Sequence, residues 1–553
     1  MTGAVPDDLI DITTADALEE KKKLLKHLGR FDMLFFLVCT LVGLDTIGAA
    51  ASNGAQAFTW LLFLAVLFFL PYALTVAELG AGFPEQGGPY VWCRMTFGRP
   101  VAAVVALLYW MSNPIWVGGS LGILALTAFE EFFTDGQPLW GPTILGTATL
   151  GEVLFVFGFI WFTVASVVLS ARVGKWVPTI GAWVRLIVLS FFTLSVVLYA
   201  VRHGVHGVAG SGFRPSYVSF IALVPILLFN YVGFELPSSA GEEMKDPQKD
   251  VPFTVFRAAV GTVLLYGLPI LAILLVLPTR QVTSLGGFLD AIKAVFTVYG
   301  GTVAATGAAT LTGAGALLGG LTAIAFVFAL ISSGATWVMG ADRAEAIAAL
   351  DGAGPRWLGS ISPRFGTPVR VNVLTGVLST LVMVLAFALA GGDADKYFAA
   401  VLGLTISTTM ISYLGIFPAL AKLRYSNPDV ARPYRVPGGR TGAVVVSALI
   451  TFWVLLASVS LVWPGFGVGW FGTAGSPDDS LPAGFTRGQF EVSQIGPLVA
   501  LVVAGALFYL AGTKTRRHQV AIPFAVELAG GAAATQEGAG RHEGDGQAPE
   551  RPP

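Results

Sequence analysis

Twelve apolar stretches of roughly 20 residues, nearly free of charge, follow one another from Leu34 to Ala511. A helix rising about 1.5 Å per residue needs about that length to cross the hydrocarbon core of a bilayer. They run near Leu34 to Phe58, Thr59 to Ala81, Val101 to Phe129, Leu150 to Leu169, Val177 to Ala200 and Val218 to Pro237. The rest lie near Val255 to Val276, Thr302 to Met339, Val371 to Leu389, Tyr397 to Ala421, Ala443 to Val462 and Ile495 to Ala511. Lipid offers no hydrogen bonds, so each run is predicted to be helical. An even number of spans leaves both termini on one face.

Charge decides which face. With the N-terminus inside, 24 of the 33 Lys and Arg fall in cytoplasmic segments and six in outer loops; the others are Arg185 within a span and Arg541 and Arg551 in the tail. Because Lys and Arg are retained on the cytoplasmic side during insertion, this skew predicts a multi-pass protein of the inner (plasma) membrane with both termini cytoplasmic. One missed span would reverse the sign of every later loop. A content of 54% hydrophobic and 12% charged residues, with a mean hydropathy of +0.73, agrees with lipid as the solvent. The formal net charge of −1 supplies no global field for nucleic acid. Cys39 and Cys93 lack the spacing of a disulfide framework or metal site and read as inert thiols. No cleavable leader is expected, because the first apolar run lacks a small-residue cleavage site. Residues 1–20 are acidic and polar, and those from Glu527 onward are poor in apolar bulk, so neither is expected to fold.

Polar residues inside the apolar runs carry the chemistry. The stretch GLDTIGAAASNGAQAF, Gly43 to Phe58, sets Asp45, Thr46, Ser52, Asn53 and Gln56 among small residues. A discontinuous membrane helix exposes amides that can receive a substrate carboxylate and carbonyls that can receive a cation, and Gly48 would permit such a break. A continuous helix with a tight packing face is the alternative, since Ala49, Ala50 and Ala51 favour helix. The sixth run, FNYVGFELPSSAGEE from Phe229 to Glu243, carries Gly233 and Pro237 and should also lose continuity. Two irregular spans five helices apart match an inverted five-helix repeat with the substrate between the breaks.

That gives a cytoplasmic tail (1–30), a first repeat (31–200), a second repeat (215–422), two further spans (441–513) and a disordered tail (527–553). Asp45, Arg185 and Glu235 lie inside spans, where a charge costs about 2.5 to 3.5 kcal/mol. A structural Asp45–Arg185 pair is one account. A carboxylate that takes up and releases a proton, with a guanidinium standing in for a bound cation, is the other. Glu78 is expected near the inner surface, paired with a loop Arg. His203 and His206 fall outside the spans, where a sensing role competes with ordinary solvation. The absence of a P-loop, a metal-ligand cluster or a nucleophile elbow argues against an enzyme, and no cofactor is implied.

Four segments in order resemble the amino acid–polyamine–organocation permeases, from about Gly29 to Gly439. AELGAGFPEQGGPYVW after the second run resembles that family's Glu-Leu, Pro and Gly-Gly-x-Tyr loop. The Gly233-Phe234-Glu235 triplet with Glu242-Glu243 and KDPQKDVP resembles its sixth helix and exit. Arg343, Asp351-Gly352, Pro355 and Gly366-Thr367-Pro368 match the spacing beyond the eighth helix, and PDVARPYRVPGG matches the loop after the tenth. TWVMGADR and Asp45 look most like the bacterial glutamate/γ-aminobutyrate antiporter branch.

The resemblance implies an all-α, twelve-helix, leucine-transporter-like fold of 5+5 inverted repeats plus two helices. It implies alternating access and an amino acid or amine substrate moved with protons or against a counter-substrate. By position it puts the substrate carboxylate at Gly48, Ala49, Ala50 and Ala51, and a gating aromatic at Phe229 beside Asn230 and Gly233. It makes Glu235 a proton-linked acid, with Arg185 near where some members carry a sodium-replacing Lys and Ser332 and Ser333 as the eighth-helix serines. A sodium-coupled symporter of the same fold and a non-transporting sensor or assembly subunit are the rival readings. Oligomeric state stays open, with a homodimer among the alternatives.

Overall fold

The computed structural model describes residues 10–13, 20–24, 26–169, 176–205, 213–276, 285–304, 308–389, 394–470, 473–482, 484–517 and 520–523. The C-terminal tail (527–553), most of the first 20 residues and His206 lie outside them. The chain is a helical bundle. A bent pair, α1 (Arg30–Leu41) and α2 (Asp45–Ala51), is followed by α3 (Ala55–Gly82), the short α4 (Gly88–Phe97), and α5 (Arg99–Phe133). Next come α6 (Leu150–Val168), α7 (Trp176–His203), the 13-residue α8 (Tyr217–Phe229) and α9 (Pro247–Val276). The second half holds α10 (Gly287–Phe296), α11 (Gly313–Leu350), α12 (Val369–Leu389), α13 (Ala394–Ile416), α14 (Ala419–Ser426), α15 (Gly439–Val462) and α16 (Arg487–Ala511). Among the described residues, ten helical segments are long and apolar enough to cross a membrane, and eleven if the bent pair is one span.

Local chemistry starts and stops these helices. Thr149 caps α6 reciprocally with Glu152: the Glu152 amide donates to Thr149 Oγ1 at 3.3 Å and the Thr149 amide donates to Glu152 Oε2 at 2.6 Å. In α5, Pro114 removes the bond to Trp110 O, and a π-bulge over Val117–Leu121 follows. Asn113 Nδ2 takes up the freed Trp110 carbonyl at 3.3 Å.

Three short antiparallel pairings lie outside the bundle: β2 (Thr143–Leu145) with β3 (Ala148–Thr149), β4 (Gly301–Val303) with β5 (Ala309–Leu311), and β1 (Ile10–Thr13) with β6 (Val520–Pro523). The last pairs Ile10 with Pro523 and Thr13 with Val520, bringing these two segments together.

Two boundaries differ from the sequence expectation. The eighth run, expected over Thr302 to Met339, is displaced: the β4–β5 hairpin occupies its start, and α11 runs on to Leu350 through Asp342, Arg343 and Glu345. Hydropathy ends a span at charges, but two of these three are visibly matched inside the bundle. Arg343 forms a two-pronged pair with Glu243 (2.6 and 2.9 Å), and Asp342 accepts from Trp110, Asn372 and Thr375. Arg343 is therefore part of a helix, not of a cytoplasmic loop. The first interruption is also displaced. It falls at Val42-Gly43-Leu44, with a bend of 41°, and Gly48 sits inside α2.

Candidate functional site

The second interruption lies at the expected place. Helix α8 ends at Phe229, residues 230–235 are irregular, and a 3-10 turn over Leu236–Glu243 resumes the path with Pro237 in its first turn. Gly233 holds φ +124°, a left-handed conformation that only glycine adopts without strain. A Cβ there would lie 2.4 Å from Thr40 Cγ2, so this break is pressed against the last turn of α1. Trp337 of α11 seals the contact by donating Nε1–H to Thr40 O at 3.1 Å. The two broken segments therefore meet.

On one side of this junction stands Arg185 of α7, fully buried. Its Nε donates to Val42 O (2.8 Å) in the first break, its Nη1 to Gly181 O (3.0 Å), Ser332 Oγ (2.7 Å) and Cys39 Sγ (3.2 Å), and its Nη2 to Ala329 O (2.6 Å) and Ser333 Oγ. These partners are neutral, drawn from α1, α7 and α11. Carbonyl and hydroxyl oxygens and one thiol from three helices thus converge on the guanidinium. No Asp45–Arg185 ion pair forms among the described residues.

Asp45 opens α2, with Oδ2 accepting from Trp116 Nε1 at 3.0 Å. Trp116 stands edge-on to Phe229 (ring centroids 6.1 Å apart) and to Trp337 (5.9 Å), while Phe229 stacks on Trp337 at 6.3 Å. Several buried polar atoms near the breaks have no protein partner: Asp45 Oδ1, both amide atoms of Asn230, Asn113 Oδ1 and Ser120 Oγ.

Glu235, at the far end of the second break, is held differently. Tyr109 and Tyr413 each donate to its Oε1 at 2.7 Å, and Tyr72 donates to Oε2 while accepting from Gly233 N at 3.0 Å. Three phenols from α3, α5 and α13 thus surround one carboxylate. Beyond it, Glu243 is gripped by Arg343 and by Gln86 Nε2 (2.8 Å), and on the other flank Gly48 packs on the backbone of Gly287 and Phe288 at the start of α10. The junction is covered on both sides.

A family model described as amino acid permease matches residues 28–472, spanning both breaks and every residue of this junction. The chain belongs to the amino acid permease family. An uncharacterised transporter of Legionella pneumophila is 27% identical over 429 residues, 77% of this permease and 87% of the relative. A probable agmatine/putrescine antiporter of Lactococcus lactis is 23% identical over 436 residues (78% and 87%), and a glutamate/γ-aminobutyrate antiporter of that organism 21% over 434 (77% and 81%). Among solved structures, a manganese transporter of Eremococcus coleocola superposes with a TM-score of 0.54 at 10% identity, covering 88% of the permease and 94% of that chain. That likeness speaks for the fold alone.

Of the residues singled out in the sequence, Asp45, Arg185, Phe229, Asn230, Gly233 and Glu235 converge on the junction of this permease. Gly48, Ala49, Ala50 and Ala51 do not present free amides: with Leu44 as the cap of α2, the unpaired N–H groups belong to residues 44–47, and those from 48 onward bond within the helix. The amide register thus moves about one turn upstream. Six aromatic residues of the site went unread in the sequence: Tyr72, Tyr109, Trp116, Tyr266, Trp337 and Tyr413. Their signal was available, because Trp and Tyr in membrane proteins concentrate at the interface, and one placed mid-span needs a partner for its polar tip. Tyr266 meets that need by accepting from Gly43 N at 2.8 Å inside the first break.

Proposed function

We propose that this permease is a sodium-independent secondary transporter that moves amino acids or their amines across the cytoplasmic membrane by alternating access, in exchange for a counter-substrate or with protons. Supporting the twelve-span reading, α8 with its 3-10 continuation completes the count begun by the ten long helices and the bent pair. The first and sixth spans are then the interrupted ones, the arrangement of two inverted groups of five helices with two further helices, α15 and α16, after them. The charge skew and the β1–β6 pairing support cytoplasmic termini.

The observation that carries the reading is the meeting of two broken helices around buried polar atoms that the protein leaves unpartnered. An unpartnered buried polar group costs about 1–3 kcal/mol, so its retention here fits a site completed by a ligand. Arg185 supports independence from sodium, since its guanidinium fills the shell of carbonyls and hydroxyls in which a cation would sit. Two of the relatives are described as antiporters, which supports exchange. Glu235, with three tyrosines poised to rearrange as its charge changes, is the group we assign to proton uptake and release.

Purified permease in proteoliposomes preloaded with one amino acid or amine should take up the same labelled compound by counterflow, equally in sodium and in potassium buffer. Flux that requires sodium would refute the assignment of Arg185. Binding without any counterflow across the whole panel would refute transport in favour of a sensor.

A further inference from the structure

The first turn of a broken helix is where an anionic ligand group is ordinarily received, because its amides have no intrahelical partners. In this chain that turn opens on an acid. Asp45 is the first residue of α2, so an anionic group brought to that turn would adjoin its carboxylate, which is 2% exposed. Its Oδ2 has one donor, Trp116 Nε1, and its Oδ1 has none. No Lys, Arg or His lies within ion-pair distance of it among the described residues. The guanidinium of Arg185 spends its donors on Val42, Gly181, Ala329, Cys39 and the two serines. A buried carboxylate with one indole donor is far from compensated, since a buried charge needs both a counter-charge and further hydrogen bonds.

Trp116, which bonds to Asp45, also packs against Phe229 and Trp337, so the acid's one donor belongs to a cluster of three aromatic rings. The negative faces of such rings attract ammonium groups. Asn113 is fixed by its amide nitrogen, which donates to Tyr109 O (3.2 Å) and Trp110 O (3.3 Å), so that Oδ1, an acceptor, is left over. Ser120, two turns along the same face of α5, keeps an unpartnered hydroxyl.

We infer that the site takes a primary ammonium group with Asp45 as its counter-ion, and that it favours amines without a carboxylate over the corresponding α-amino acids. This rests on the transport reading above and narrows its substrate class. A substrate carboxylate brought to the first turn of α2 meets Asp45 there, and like charges so juxtaposed repel. An amine meets a carboxylate acceptor bonded to one ring of an aromatic cluster instead. Selectivity then lies in one side chain at the mouth of the first break.

The test compares matched pairs that differ only in the carboxylate: 1,4-diaminobutane with ornithine, 2-methylpropylamine with valine, and 2-phenylethylamine with phenylalanine. Binding to the detergent-purified permease and counterflow in proteoliposomes are both measured. In every pair that binds, the amine is expected to bind at least about tenfold more tightly than its amino acid. Asp45→Asn keeps the shape and the Trp116 bond and removes the charge, and should weaken amine binding about 10- to 100-fold while sparing any residual amino acid binding. Asp45→Glu, which keeps the charge, should retain more amine binding than Asp45→Asn. Tighter binding of amino acids than of their amines, or amine binding indifferent to Asp45→Asn, would overturn the inference and leave the transport reading standing. If Asp45→Asn fails to fold, the wild-type ranking of the three pairs decides alone. Absence of binding and flux for all six compounds would overturn both readings.

Discussion

Arg185 shows how a membrane protein keeps a permanent charge at mid-span without a carboxylate in ion-pair contact. A guanidinium is planar, cannot deprotonate and offers five donors in a fixed fork, and here those donors reach three carbonyls, two hydroxyls and a thiol. Arg185→Ala would leave these acceptors buried and unmet, so the variant should be less stable by about 3 kcal/mol or more, read as a lower midpoint of thermal unfolding in detergent. Arg185→Lys keeps the charge but loses the fork and should fall between the two. Glu235 differs in kind, because its partners are hydroxyls that can donate or accept as its charge changes. If it is the proton-carrying group, Glu235→Gln will continue counterflow while uptake stops responding to an imposed proton gradient. A gradient response that survives in Glu235→Gln would move the proton to another acid.

Elements were legible where physics is local and obscure where it is not. Length and apolarity alone placed most of the spans, because a helix in lipid satisfies its own backbone. The break at Gly233 was readable for the same reason: a glycine followed four residues later by a proline is a local obstacle to helix. The break at Val42-Gly43-Leu44 was not, since Ala49 to Ala51 beyond it favour helix, and what opens the chain four to six residues before Gly48 is tertiary: Tyr266 takes the amide of Gly43 and Arg185 the carbonyl of Val42. The extent of α11 was hidden likewise, because Arg343 reads as a loop residue until Glu243, a hundred positions earlier, is seen against it. The site was half visible. Its charged members stood out against apolar runs, whereas its tyrosines and tryptophans resembled interface residues until their depth was known.

The second break has a direct test at this scale. Gly233→Ala must place a Cβ at φ +124° and within 2.4 Å of Thr40 Cγ2, so it should destabilise the protein by about 2 kcal/mol or more and reduce counterflow. Ala at Gly158, where a Cβ meets nothing within 4 Å, is the matched control and should be silent.

For the whole molecule, the arrangement of spans makes a prediction about sidedness that needs no ligand. Both native cysteines are buried and unpaired, so a polar maleimide should leave the unmodified protein unlabelled in intact cells, and single introduced cysteines can be read without removing them. Asp429 is exposed in the segment between α14 and α15, and Ala474 is exposed in the segment between α15 and α16. With α15 crossing the membrane once, these positions lie on opposite sides. The side of each follows from charge: Arg432, Arg435 and Arg440 cluster with Asp429, whereas the segment around Ala474 carries Asp478 and Asp479 and no Lys or Arg before Arg487. Ala474→Cys should therefore label in intact cells, and Asp429→Cys only after the membrane is opened. Because every earlier span contributes to the parity at that point, one wrongly counted crossing inverts both results together. The pairing of β1 with β6 ties the same count to the termini, so a tag at either end should be protected from external protease whenever Asp429→Cys is protected from label.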